Sequence, residues 1–95
     1  MTDTGDIKEV NKKKTKAQLR RMRETDWLKD ILSKTGGRDF VWRLLIQCGV
    51  FHTSFTGDAP HTFFNEGKRQ IGLWVLSEID EADNQAIPKM QEENK

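Results

Sequence analysis

The chain has 95 residues, 33% of them charged and 35% hydrophobic, with a formal net charge of +1. That length allows one small core, and no apolar run approaches the ~20 residues of a membrane span. The single cysteine, Cys48, excludes an intramolecular disulfide; among Leu45, Ile46 and Val50 it reads as a small buried apolar residue. The opening MTDTGDIKEV has no apolar h-region, so no secretory signal is expected and the default setting is intracellular and reducing.

The near-neutral total hides an asymmetry. Residues 1–38 carry eleven Lys/Arg against six Asp/Glu, a net of +5, whereas residues 39–95 carry five against nine, a net of −4. A basic front and an acidic back predict polar contacts of opposite sign at the two ends.

Residues 1–14 are polar, include the run Lys12-Lys13-Lys14, and offer only Ile7 and Val10 as apolar residues, so a disordered basic arm is expected. Thr15 followed three residues later by Gln18 fits a capping box and places a helix start there. From Lys16 to Lys34 there is no Pro or Gly, and Leu19, Met22, Trp27, Leu28, Ile31 and Leu32 recur at helical spacings. Gly36 and Gly37 interrupt the pattern, suiting either a cap or a fresh start. Arg38 to Cys48 then gives Phe40, Val41, Leu44, Leu45 and Cys48, the stripe of a second helix with one buried face, closed by Gly49.

In GVFHTSFTGD, residues 49–58, Phe51 and Phe55 stand among turn formers and are expected to fold back onto the helices. Asp58-Ala59-Pro60 predicts the start of a third helix, because Asp accepts orphan N–H groups and Pro has none to lose in the first turn. This helix is expected to run to about Glu81 and to bury Phe63 or Phe64, Gly67, Ile71, Trp74, Val75 and Ile79. Gly67 and Gly72 suggest places where another backbone approaches or the helix bends. Pro88 and the acidic composition predict a frayed polar tail over 83–95. The expected architecture is therefore all-α: a small three-helix bundle over 15–82 between a basic arm and an acidic tail.

Candidate chemistry is sparse. Cys48, His52, Asp58 and His61 are ligand types but lack the paired short spacings of a structural zinc site, and Asp58 is already assigned as a cap. Ser54 has no G-x-S-x-G context. Thr56-Gly57-Asp58 places a carboxylate where a phosphate would sit. No catalytic residue, metal or cofactor is expected. The segment from Lys8 to Arg23 carries Lys8, Lys12, Lys13, Lys14, Lys16, Arg20, Arg21 and Arg23 against Glu9 alone, a block able to neutralise phosphates or to dock on an acidic protein. Trp27, Trp42 and Trp74 fall one per helix, as buried anchors of a small bundle would. Trp42, off the centre of its stripe, is the exception and a candidate for a partner surface.

Arg38-Asp39-Phe40-Val41-Trp42-Arg43-Leu44-Leu45, Cys48-Gly49-Val50-Phe51, Ser54-Phe55-Thr56-Gly57-Asp58, Phe64-Asn65-Glu66-Gly67-Lys68-Arg69 and Ile71-Gly72-Leu73 together resemble a small tailed-bacteriophage protein family, typified by a short reading frame of a Bordetella podophage. The resemblance spans about residues 26–79. It implies a phage origin, a place in the virion or host cytoplasm, and a non-enzymatic role. The leading expectation is a minor virion component or assembly factor contacting a phage or host protein, with Arg38, Trp42, Arg43, Lys68 and Arg69 as candidate interface residues. A nonspecific nucleic-acid-binding module using the basic segment is the alternative, a modulator of a host protein is a third, and a homo-oligomer is compatible with each.

Overall fold

The computed structural model describes residues 13–95, which fold into four helices and, among the described residues, no strand. The expected arm thus lies almost wholly outside the described residues. Helix α1 spans Lys16–Leu32 and starts at the Thr15–Gln18 capping box: the Gln18 N–H donates to Thr15 Oγ1 at 3.1 Å, and the Thr15 N–H donates to Gln18 Oε1 at 2.9 Å. These two bonds satisfy orphan donors that the helix itself cannot.

After Ser33 and Lys34 the chain turns into α2, Thr35–Cys48, so the glycine pair belongs to a fresh start and not to a cap. Gly37 has a steric reason to be glycine. A Cβ there would collide with the Ile31 carbonyl oxygen and lie 2.9 Å from the Ile31 carbonyl carbon. The α1 and α2 backbones therefore approach as closely as they do because that side chain is missing. Gly49 ends α2 with φ 71°, a left-handed cap.

Helix α3, Ala59–Ala82, opens where expected, with the Asp58 carboxylate accepting from the His61 N–H at 3.3 Å. It ends at Asp83 in extended conformation, and the chain then forms a fourth helix, α4, Ala86–Glu93. The three-helix expectation is corrected here. The Gln85 N–H donates to Asp83 Oδ1 at 3.0 Å and the Ala86 N–H to Asp83 O at 3.1 Å, a turn that restarts the helix. Pro88 is the third residue of α4, where a backbone N–H has no intrahelical partner to lose.

Helix α2 packs against α1, α3 and α4, and α3 also contacts α1 and α4. The buried apolar residues are Leu32, Val41, Leu45, Cys48, Val50, Ile79, Ala86 and Met90. Met90 and Ala86, one helical turn apart, are the contribution of the segment expected to fray. The core is therefore drawn from all four helices and from Val50 in the connection after α2. At Gly72 a Cβ would collide with Val50 Cγ1 and lie 2.6 Å from Cys48 Cβ, so this glycine is the close approach between α2 and α3. A Cβ on Gly67, in contrast, would meet nothing within 4 Å.

The aromatic residues depart most from expectation. Trp27 and Trp74 are more than half exposed, as are Phe55, Phe63 and Phe64, while Trp42 is half-buried and packs against the core. Phe51 does fold back, its ring centroid 5.3 Å from that of Trp42, but Phe55 is 74% exposed and does not.

Candidate protein-interaction surface

The first half of α3 turns its polar side inward, and the cause lies in the neighbouring connection. Residues 49–58 carry backbone groups that need partners, and α3 supplies them. The Thr56 N–H donates to Thr62 Oγ1 at 3.1 Å, the Thr56 and Thr62 hydroxyls lie 3.0 Å apart, and Asn65 Nδ2 donates to Ser54 O at 3.5 Å. Glu66 joins the same side, its carboxyl held below the usual carboxylate range by hydrogen bonds from Ser54 and Gln70. With Thr62, Asn65, Glu66 and Arg69 turned toward the connection, Phe63, Phe64, Gly67, Ile71 and Trp74 face solvent.

Helix α2 has a second apolar stripe beside its buried one. Arg38, Val41, Leu45 and Cys48 face the core, whereas Phe40 and Leu44, one helical turn apart, face outward with polar Gln47 beside them. Phe40, Arg43, Leu44, Ile46 and Gln47 line an open concavity of about 350 Å³. The Arg43 guanidinium carbon lies 5.8 Å from the Phe40 ring centroid, and Arg43 Nε donates to Asp39 Oδ2 at 3.1 Å. On α3, Lys68 Nζ lies 5.0 Å from the Phe64 centroid. Two of the expected interface residues, Arg43 and Lys68, thus sit over exposed phenylalanine rings, an arrangement that holds cation and ring together.

The other three are placed differently. Arg38 is 5% exposed and is no surface residue: its Nη1 donates to Leu32 O at 3.0 Å, and its Nε and Nη2 donate to Glu93 at 2.8 Å each. Arg69 turns inward with Glu66, 3.6 Å away. Trp42 is partly covered by Phe51. Sequence reasoning missed Phe40 and Leu44 as surface residues because it assigned them to the buried stripe. The readable signal was that two neighbouring stripes on one helix exceed what a core of this size can cover.

Of the basic segment, Lys8 and Lys12 lie outside the described residues. Lys13, Lys14, Lys16, Arg20 and Arg23 are exposed. Arg21 is engaged within the fold: its guanidinium donates to Glu78 at 2.8 Å and to Glu81 at 3.3 Å, joining α1 to α3. These bonds raise the Arg21 pKa and hold the Glu78 carboxyl below its ordinary value. Among the described residues no helix is long and apolar enough to cross a membrane, and no three His, Cys, Asp or Glu are grouped to hold a metal ion.

A family model described as Bbp19-like phage protein matches residues 28–92. The chain belongs to the Bbp19-like phage protein family. The matched region takes in the whole of α2 and α3 and all but the last residue of α4, so the two outward apolar faces and the fourth helix lie inside the Bbp19-like domain. The exposed cations from Lys13 to Arg23 lie outside it. Searches among curated proteins and among solved structures return no match.

Proposed function

We propose that this Bbp19-like protein acts without catalysis, as a minor virion component or assembly factor that binds another phage or host protein through the outward face of α2. The observation that carries this reading is the mostly apolar concavity lined by Phe40, Leu44 and Ile46 together with Arg43 and Gln47. Aromatic residues and arginine are enriched at the energetic centres of interfaces. A groove on one helix, lined by three apolar side chains with an arginine and a glutamine among them, suits a helix or extended segment of a partner.

The test is quantitative mass spectrometry of purified virions and of assembly intermediates from phage carrying the natural gene or Leu44→Glu. Recovery of the natural protein with either particle, and its loss for the folded variant, is the expected result. Absence of the natural protein from both particles would remove the reading.

A second reading is favoured by one observation, the five exposed cations Lys13, Lys14, Lys16, Arg20 and Arg23. They suit phosphate contacts whose affinity falls steeply with salt. Titration of duplex and single-stranded DNA at two salt concentrations, with the natural chain and a variant with these five residues changed to Gln, distinguishes it. DNA binding that the Gln variant loses would place nucleic acid first.

A further inference from the structure

The outward face of α3 is separate from the concavity on α2 and has its own internal order. Phe63, Phe64, Gly67, Ile71 and Trp74 form a stripe without a charged residue, large at both ends and smallest near the middle. Gly67 and Ile71 are centred on position 69, and so are Phe64 and Trp74. A two-fold axis level with residue 69 would therefore lay Ile71 of one copy over Gly67 of the other and set Trp74 against Phe64. That is the condition an isologous interface must meet, because each patch has to fit itself.

We propose that this face of α3 pairs with the same face of a second copy of the chain, in an antiparallel helix-to-helix dimer centred near residue 69. Gly67 provides the room, since a side chain added there would meet nothing of its own fold within 4 Å. Ile71 fills that room from the partner, the knob-and-hole relation of close helix packing. Electrostatics agrees: antiparallel pairing sets the positive end of each helix dipole beside the negative end of the other. Lys68, already over the Phe64 ring, would gain Trp74 of the other copy as a second aromatic face.

The area is sufficient for reversible pairing. Phe63, Phe64, Ile71 and Trp74 are 74%, 64%, 59% and 60% exposed. With aromatic side chains each presenting roughly 150–250 Å², the four leave roughly 400–500 Å² of uncovered apolar surface per copy. Two copies would remove roughly 1,000 Å² from water with the rim included, the lower limit for a specific interface and consistent with micromolar association. This inference is independent of the proposed role of α2 and can fail or hold without it.

The test is sedimentation equilibrium of the full chain from about 5 to about 500 µM. The apparent mass is expected to rise from 11.0 kDa toward twice that value. Ile71→Glu and Trp74→Glu should each weaken the association by about 30-fold with the helical circular dichroism intact, because both side chains are exposed in the monomer. Leu44→Glu should leave it unchanged. An equimolar mixture of Gly67→Cys and Ile71→Cys should form a disulfide-linked dimer on mild oxidation, whereas Gly67→Cys mixed with Glu92→Cys, at an exposed position of α4, should not. A mass that stays monomeric over the whole range, or a dimer unaffected by both α3 variants, would overturn the proposal and free this face for a different partner.

Discussion

The guanidinium of Arg38 meets the carboxylate of Glu93 through two hydrogen bonds of 2.8 Å, joining the first turn of α2 to the last residue of α4. A third bond, from Arg38 Nη1 to Leu32 O at 3.0 Å, ties the same side chain to the end of α1. One arginine therefore closes three helices. The hydrogen bonds from Arg38 hold the Glu93 carboxyl below its ordinary value and raise the Arg38 pKa.

Stability should depend on pH through this pair. Because the folded pKa of Glu93 lies below an unfolded value of about 4.3, its contribution is complete above that value and is lost as pH falls through the lower folded one. Melting temperature should fall as the solution is acidified below the usual carboxylate range. Glu93→Gln should start lower and fall less, with Glu78 beside Arg21 and Glu66 beside Ser54 and Gln70 supplying the remaining slope. Melting curves recorded across the acidic range check this; parallel profiles for the two proteins would show that Glu93 carries none of the dependence.

Met90 is fully buried at the centre of α4. Met90→Ala should cost about 2–5 kcal/mol, whereas exposed Lys89→Ala should stay within about 0.5 kcal/mol of the natural chain. Urea midpoints at a shared slope measure both. An unchanged Met90→Ala midpoint would mean that α4 is not docked in solution.

Two glycines in one helix should respond in opposite directions. Gly72→Ala pushes a methyl group into Val50 and Cys48 and should destabilise by about 1–3 kcal/mol. Gly67→Ala adds a methyl group in open space at a helical position and should stabilise the monomer by about 0.5–1 kcal/mol. Thermal unfolding of the two variants at low concentration, where pairing is absent, gives the comparison directly.

The two phenylalanines of the connection should also separate. Phe51→Ala removes the ring against Trp42 and should shift tryptophan emission while lowering stability, the aromatic pair alone being worth about 0.5–1.5 kcal/mol. Phe55→Ala should change stability by no more than about 0.5 kcal/mol.

Local chemistry was the legible part of this fold. Thr15 with Gln18, Gly49, and Asp58 with Pro60 each fix a helix boundary through bonds made within a few residues, so a sequence window contains all the information. Val41, Leu45 and Cys48 are readable as the buried face of α2 for the same reason, whereas buried Arg38 and exposed Phe40 and Leu44 were not. What the sequence concealed was set by other segments. Helix α4 depends on Ala86 and Met90 joining the buried cluster supplied by the other three helices, which no local window displays, and Pro88 suggests termination when it in fact occupies a first turn. The side of α3 that faces inward depends on the hydrogen-bonding needs of residues 54–56, so a periodicity argument placed Ile71 and Trp74 in the core. For the candidate surface, Arg43 and Lys68 could be named from type and position, but the rings beneath them could not, because Phe40 had been assigned to a buried face and Phe64 was one of two alternatives for another.

The burial of Cys48 against Gly72 has a use of its own. As the only thiol of the chain, sealed where α2 and α3 touch, it reacts with a soluble disulfide reagent only when those helices part. The rate of modification under native conditions is therefore a built-in clock for that opening. It needs no introduced label, and each substitution that loosens the contact between α2 and α3 should make it run faster.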